Sequence, residues 1–556
     1  VDLRASVVEV VRLRHLVTLE GTRAAPVRWV RIAGLTFRHA ARTFMDNREP
    51  LLRSDWTTYR GGAVVFRGAE DCTVSDSTFD QVGGNAVFVD GYNRRVWIRG
   101  CEITGAGANG VAFVGRPEAV RSPLFEYEQR QGLAQIDRTP GPKSDAFPSD
   151  CGVEDCLITR SGRFEKQTAP VQIAMAQAIT VRHCSIYDVP RAGINIGDGC
   201  WGGHLVEHCD IFDTVLETGD HGSFNSWGRD RFWGLTGVDL DTVTQGELRE
   251  LPKLDMERPT VLRNNRWRCD HGWDIDLDDG SSNYEIRNNL CLNGGIKLRE
   301  GFYRVCENNV MVNNSFHPHV WYRLSEDVFR RNIVFTPYRP IRVPTPWGRE
   351  CESNLLHRPG QELVTPATNL VAQSGRDANS VQGDARFLDP TRGDYRVKEG
   401  SPALALGFVN FDMDRFGVRS ERLRARARTP KLPGTENVAA VPGGSPRWTW
   451  RGATLKELEG AEFSVVGVAA TAGGVLVVEV KPGSEAERAG FQRMDLIRTV
   501  DGSAIADVGA LARALRVEGQ GAQAAVGVRR NQFETTLSVA RGGTESIPAR
   551  IGTRDR

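Results

Sequence analysis

Arg263-Asn264-Asn265-Arg266, Arg287-Asn288-Asn289-Leu290, Glu307-Asn308-Asn309-Val310 and Arg331-Asn332-Ile333 repeat one pattern, a polar pair leading into a short strand-like run. With Ser353-Asn354 included, the second residue of each pair recurs at intervals of 24, 20, 23 and 22. Upstream, Asp71-Cys72, Gly100-Cys101, Asp155-Cys156, His183-Cys184 and His208-Cys209 occupy the same slot at intervals of 29, 55, 28 and 25, with 56 more to Asn265. The two doubled intervals must contain a long loop or a hidden coil. One small polar residue per 20 to 29 residues is what a β-solenoid requires, since coils stack at about 4.8 Å and like residues fall on like residues. Leucine-rich repeats would instead show helical periodicity. Val-Phe-Val (87–89), Ile-Asn-Ile (194–196), Ile-Asp-Leu (275–277) and Ile-Lys-Leu (296–298) are short alternating strands. The expectation is a mainly β chain: a right-handed parallel β-helix over 1–429, with Asn265, Asn289, Asn309 and Asn332 stacked in register.

Composition sets the outer limits. A net charge of +1 over 556 residues argues against a nucleic-acid surface. The 71 cations divide into 8 Lys and 63 Arg, a bias that genome composition explains and that guanidinium recognition of carboxylate or sulfate would also use. No run of 18 apolar residues occurs, so no membrane span is expected. Eleven cysteines, several in the ladder slot and none in a CxxC pair, read as buried packing thiols, with no metal site. The chain opens at Val1 inside strand-rich sequence (Val7-Val8-Glu9-Val10-Val11), as expected of a processed start on a secreted, periplasmic or extracellular protein.

Residues 116–150 and 235–260 break the ladder and read as long loops of the kind that build a cleft on one face of a solenoid. Gly383-Asp384-Ala385-Arg386-Phe387 through Ser401-Pro402-Ala403 resembles the closing segment of secreted β-helix carbohydrate enzymes, and is expected to cap the last coil. Residues 430–447 read as a Pro/Gly linker and 546–556 as a tail. Between them Pro482-Gly483-Ser484-Glu485-Ala486-Glu487-Arg488-Ala489-Gly490, Asp495-Leu496-Ile497 and Val500-Asp501-Gly502 resemble a bacterial PDZ domain over 448–545. That resemblance implies a small α+β unit with a peptide groove between Phe463–Val468 and a helix from Asp507 to Leu515. Phe463, Val465 and Leu511 are its candidate contacts, for a partner's C-terminus or for docking within the chain. Glu462-Phe463-Ser464-Val465-Val466-Gly467 departs from the usual carboxylate loop.

Chemistry concentrates in three successive coils. In Trp273-Asp274-Ile275-Asp276-Leu277-Asp278, core positions for Ile275 and Leu277 put Asp274, Asp276 and Asp278 outward on one face. By the same alternation Lys297 and Arg299 face outward in the next coil. His319, Trp321 and Arg323 follow in the third if Val320 and Tyr322 are core. His317 and His319, on either side of Pro318, read either as loop residues, the favoured role, or as substrate contacts. About two coils upstream, Asp220-His221-Gly222 and Asn225-Ser226-Trp227-Gly228-Arg229 combine the acids, amides and indoles that suit sugar recognition. Two readings of the acids stay open. They could form a salt-bridge ladder, Asp276 on Lys297 and Asp278 on Arg299. Alternatively, Asp276, Asp278 and Asp220 are catalytic carboxyls, since residues two apart on a strand lie about 6.5–7 Å apart and crowded carboxylates split their pKa values.

Gly34-Leu35-Thr36-Phe37-Arg38-His39, Gly83-Gly84-Asn85-Ala86-Val87-Phe88, the 220–229 string and Asp276-Leu277-Asp278-Asp279-Gly280 resemble β-helix hydrolases of glycoside hydrolase family 141, over about Leu13 to Gly407. The clustered acids more faintly resemble polygalacturonases. The resemblance implies glycosidase activity on a plant or algal polysaccharide, of the α-L-fucosidase or xylanase kind, without a cofactor. The alternatives are a polysaccharide lyase with aspartate-bound calcium and Lys297 or Arg299 as base, and a non-catalytic glycan-binding β-helix. No Gly-x-Ser-x-Gly elbow or phosphate loop is present.

Overall fold

The structure, a computed structural model, describes residues 10–46, 49–53, 57–198, 200–432, 446–458, 473–516, 523–530 and 533–542. The expected strand residues Val7–Glu9, linker residues 433–445, the candidate PDZ strand with Phe463 and Val465, and the 546–556 tail lie outside them. The chain divides into two compact units, 1–437 and 438–556.

The first unit is a parallel β-helix. Three long sheets of 12, 11 and 13 strands run along it, and neighbouring strands belong to successive coils. Strand alternation sends one set of side chains into a continuous core. In the second sheet Ile98, Val153, Val181, Val206, Leu262, Ile286, Cys306, Phe329 and Cys351 stack as a single inward column. Their outward neighbours form a charged row in which Glu154 pairs with Arg99 and Arg182, Glu207 with Arg263, and Glu307 with Arg330. Exposed pairs of this kind add little stability each.

The ladder sits at the corner between the second and third sheets. Its first residues, Asp76, Gly100, Asp155, His183, His208, Asn264, Asn288, Asn308, Arg331 and Ser353, all have φ between 50° and 58°. This left-handed conformation explains why the slot favours Gly, Asn, Asp and His. The second residues point inward. Asn265 Nδ2 donates to Asn289 Oδ1 at 3.2 Å, Asn289 to Asn309 at 3.0 Å, Asn309 to Asn332 at 3.0 Å and Asn332 to Asn354 at 3.3 Å. Asn354 ends the chain of amides on the Asp377 carboxylate. Both doubled intervals are single coils carrying a long loop, because Cys101 N meets Cys156 Sγ and Cys209 N meets Asn265 Oδ1 directly. Cys72 does not belong to this column. Its coil contributes Ser77, while Cys72 follows the left-handed Asp71 at the corner between the first and second sheets. All eleven cysteines are buried and free.

The end of the helix is closed by Thr368–Ser374, whose Leu370 joins the inner core with Ala367. The 383–403 segment instead covers the flank. Phe387, Tyr395, Val397 and Ala403, with Phe408 and Phe411, pack on the outward Leu290, Val310, Ile333 and Leu355 of the third sheet. That outer face is apolar and needs a cover, which is why the expected cap lies there. The chain then runs back along the coils as a strap. Asn308 bonds both backbone groups of Val409, Gly417 N donates to His208 O, Asp155 accepts from Arg419 N and Ser420 N, and Arg422 reaches Gly100 O.

The second unit is a seven-stranded antiparallel sheet with a helix at Val508–Arg516. Trp450, Leu455, Val477, Ile497, Leu511 and Leu515 fill its core. Leu511 is fully buried there. Its place among the described residues is packing, which corrects its assignment as a peptide contact.

Candidate functional site: a polar row on the first sheet

Outward residues of the first sheet lie in register from coil to coil. The row starts apolar, Val65, Phe88 and Ala112. It then turns polar: Gln172, Asn195, Asn225, Asp276, Lys297 and His317. Five steps of about 4.8 Å make this polar stretch roughly 24 Å long. Each member sits between two inward hydrophobes or at the edge of one, as in Ile194-Asn195-Ile196 and Ile275-Asp276-Leu277, so the same alternation that builds the core turns the row outward, beneath the loops.

Ion pairs knit its lower half. Lys297 Nζ lies 3.0 Å from Asp276 Oδ1 and 3.2 Å from Asp278 Oδ1, and 4.1 Å from the centre of the Trp273 ring. Arg299 stands 3.7 Å from Asp278 and 2.9 Å from Asp279. The salt-bridge ladder read from the sequence is therefore present, with Lys297 shared between two acids. Lys297 and Asp276 have no exposed side-chain surface, whereas Asp278 retains 17%. Asp220, in a left-handed turn, is exposed at the rim.

The two aspartates are driven apart. Burial pushes the Asp276 carboxyl well above its ordinary range; Lys297 opposes this, and the negative charges of Asp278 and Asp220 reinforce it. Burial acts on Asp278 too, but Lys297, Arg299 and Arg229 together outweigh it and hold that carboxyl well below the usual range. Burial also favours neutral Lys297, yet Asp276, Asp278 and Asp220 keep it charged. His319 is fully buried, and burial with Lys297, His317 and Arg299 nearby holds it neutral.

Hydrogen-bonding capacity is left over along the row. Among the described residues, Gln172 Oε1, Asn195 Nδ2, Asn225 Oδ1, Asp276 Oδ2 and both His319 ring nitrogens are buried without a hydrogen-bond partner. Asn225 Nδ2 does reach Asn195 Oδ1 at 3.0 Å, and His317 Nε2 lies 2.8 Å from Asn314 Oδ1. Buried polar atoms without protein partners are uncommon, and several close together mark a place where water or a ligand can supply donors and acceptors.

The two long loops wall this region. They pair at Gln131–Gly132 with Leu235–Thr236 and pack Ile136, Leu235, Val243 and Leu251 with Phe232, Trp233 and Phe302. Trp233 Nε1 donates to Glu300 at 3.0 Å, and the Tyr127 hydroxyl reaches Asp279 at 3.4 Å.

The structure thus brings together Asp276, Asp278, Lys297, Arg299, Asn225 and His319. His221 stands at the rim, 3.3 Å from Thr218 Oγ1, and burial beside Arg191 and Lys297 pushes its pKa well down. Four predicted residues have other tasks. Asp274 is outward but accepts from the backbone amides of Cys269, Asn293, Gly294 and Gly295, clamping two coils; burial pushes its carboxyl up to about 7 against these donors. Trp227 packs with Phe88, Phe147 and Trp201 and keeps 4% exposure, so it offers no stacking face. Arg229 is a loop anchor, bonded to Asp279 and to Arg53 O, with its amide on Asp198. Trp321 lies in the inner core with its indole donating to Leu298 O. The strand ends at His319 and Val320 turns left-handed, so the assumed alternation fails, and His317 is an outward strand residue instead of a loop residue.

The aspartates do not form the oxygen cage that the calcium alternative calls for. Asp274 is spent on amides and the other two on Lys297. Among the described residues no group of three or more His, Cys, Asp and Glu could hold a metal ion. No helix among them is long and apolar enough to cross a membrane.

The PDZ domain family matches residues 452–540. No curated protein matches the chain. Among solved structures it is similar to a glycoside hydrolase, with 13% identity and a TM-score of 0.34 over 62% of this chain and 50% of that one. It is also similar to a mutant of AlyGC, an alginate lyase of polysaccharide lyase family 6, with 12% identity and a TM-score of 0.29 over 79% of this chain and 60% of the other. The chain spans 50 to 60% of the length of these two proteins.

Proposed function

We propose that the β-helix unit is a polysaccharide-active enzyme, a glycoside hydrolase that uses Asp276 as general acid and Asp278 as the ionised carboxylate. The observation that carries this reading is the polar row itself: a line of buried amides and an acid with unmet hydrogen-bonding capacity, flanked by the His319 imidazole and running along the solenoid, as an extended glycan would lie. Within it, one carboxyl is pushed up and its neighbour down, the pairing that glycoside hydrolysis needs. Asp276 Oδ2, without a donor, is the atom that would carry the proton to the leaving oxygen. Asp278, which meets solvent, would act on the anomeric carbon or on a water. Asp220 at the rim adds negative charge that favours protonated Asp276.

A lyase acting through Lys297 needs that amine neutral, and the acids around it, Asp276, Asp278 and Asp220, favour its charged form. The salt-bridge pairs would also serve a glycan-binding solenoid without chemistry. Incubation with a panel of plant and algal polysaccharides separates the three. Hydrolysis yields plain reducing ends and persists in EDTA. Unsaturated, ultraviolet-absorbing ends would establish the lyase, and binding without products the module.

A further inference from the structure

A second concave site lies at the corner after the third sheet. Arg38, Asp80, Thr104 and Thr159 stand in register on four successive coils. The residues that follow them, His39, Gln81, Gly105 and Arg160, are all left-handed, with φ from 54° to 69°. Each coil therefore turns the same way, and the turns line a cavity of about 690 Å³ together with Arg42, Arg163 and Phe164. That volume is in the range of ligand sites. Three coil steps give it a length of roughly 14 Å, enough for an oligosaccharide.

Its chemistry is one-sided. Arg42, Arg160 and Arg163 make no ion pair or side-chain hydrogen bond among the described residues, in contrast to the paired arginines of the second sheet. Asp80, the carboxylate of the lining, is already held by Arg38 at 2.9 Å and Gln81 at 3.2 Å. Phe164 is 37% exposed, and the Arg42 guanidinium lies 4.0 Å from its ring centre, which holds that fork flat. Free guanidinium forks beside an exposed ring suit a sugar that carries oxyanions.

The groove and the row described above are joined through one chain segment. Arg160 and Arg163 lie between strands Leu157–Thr159 and Val171–Ala174 of one coil, and the latter supplies Gln172, the first polar member of the row. We infer that the groove is an accessory binding site for an oligosaccharide bearing carboxylate or sulfate groups, holding a polymer whose cleavage occurs at Asp276 and Asp278. The cleavage clause rests on the function proposed above, whereas the binding clause is tested without turnover.

The test is calorimetric titration of the full chain with tetragalacturonate, a sulfated galactan tetrasaccharide and xylotetraose, for the wild type and for an Arg42→Ala/Arg160→Ala/Arg163→Ala variant. At least one anionic tetrasaccharide should bind, and which of the two does so identifies the oxyanion. Xylotetraose should bind at least tenfold more weakly than that ligand. The triple variant should weaken the anionic ligand at least tenfold, and raising the salt from 20 to 200 mM should weaken it as well. The three side chains are exposed, so the variant should fold, with an unchanged circular dichroism spectrum. Equal affinity for the neutral sugar, no binding of either anionic sugar, or no effect of the triple substitution would overturn the inference. So would displacement of both anionic sugars by a single-stranded oligonucleotide at lower concentration. Unchanged turnover in Asp276→Asn would sink the hydrolase reading while leaving the binding result intact.

Discussion

Asp276 and Lys297 are register partners on adjacent coils, both without exposed side-chain surface, with Asp276 Oδ1 and Lys297 Nζ 3.0 Å apart. Replacing Lys297 by Met leaves Asp276 facing Asp278 without the shared ammonium, while Asp278 keeps Arg299 at 3.7 Å. Breaking a buried pair from one side costs about 3–5 kcal/mol, and urea denaturation should show a loss of that order. Adding Asp276→Asn should return much of it. If the losses simply add, the pair is not coupled and the shared ammonium has no structural weight.

Asp276→Asn and Asp278→Asn should each lower turnover by about 100-fold or more, the scale of losing an acid or base. The pH profile distinguishes their roles. Asp276, with its carboxyl pushed up, must be protonated to act, so activity falls as pH rises through its raised pKa; Asp278, held low, sets the acid limb. In Asp276→Asn the residual activity should lack the basic limb. A retained basic limb would remove Asp276 from the role of acid.

Asp198 gives a stability test outside the row. Burial raises its carboxyl to about 8 against the pull of Arg229 and Arg53. A folded pKa above the unfolded value of about 3.9 means that its contribution is full at acid pH and is lost as pH rises through about 8. The melting temperature should therefore fall between about pH 4 and 8 and level off above that, and Asp198→Asn should flatten that fall. Parallel curves for the two proteins would show that Asp198 is ionised throughout.

Deleting residues 438–556 removes one compact unit and none of the residues of the polar row. Turnover on a small aryl glycoside should stay within about twofold, while partner binding or localisation changes. A collapse of turnover in the folded, truncated protein would mean that the second unit helps to build the active site.

The ladder was legible because stacking forces a period on the sequence and left-handed corners restrict the residue types. Asp276, Asp278, Lys297 and Arg299 were legible because strict alternation holds inside their strands. Alternation failed where a strand stopped. Val320 turns the chain after His319, and Trp321 lands inside. Trp227 could not be placed from the sequence, since its neighbours Phe88, Phe147 and Trp201 come from distant coils. Gln172 and Asn195 carried the same signal as Asp276, one polar residue between two strand hydrophobes, and only the register shows that they continue its row. Cys72 mimicked the ladder because the solenoid has more than one left-handed corner.

The strap described above has a consequence for how the unit assembles. Arg422 meets Gly100 across 322 residues of chain and Ser420 meets Asp155 across 265. Coils can stack one on the next as they leave the ribosome, each needing only its predecessor. The early ones nevertheless wait for the last part of the unit to be synthesised before their outer corner is covered. Contacts so distant in sequence close late and slowly. Refolding should therefore show a fast phase of coil formation and a slower one in which the strap docks, with the N-terminal coils the last to gain full protection from hydrogen exchange.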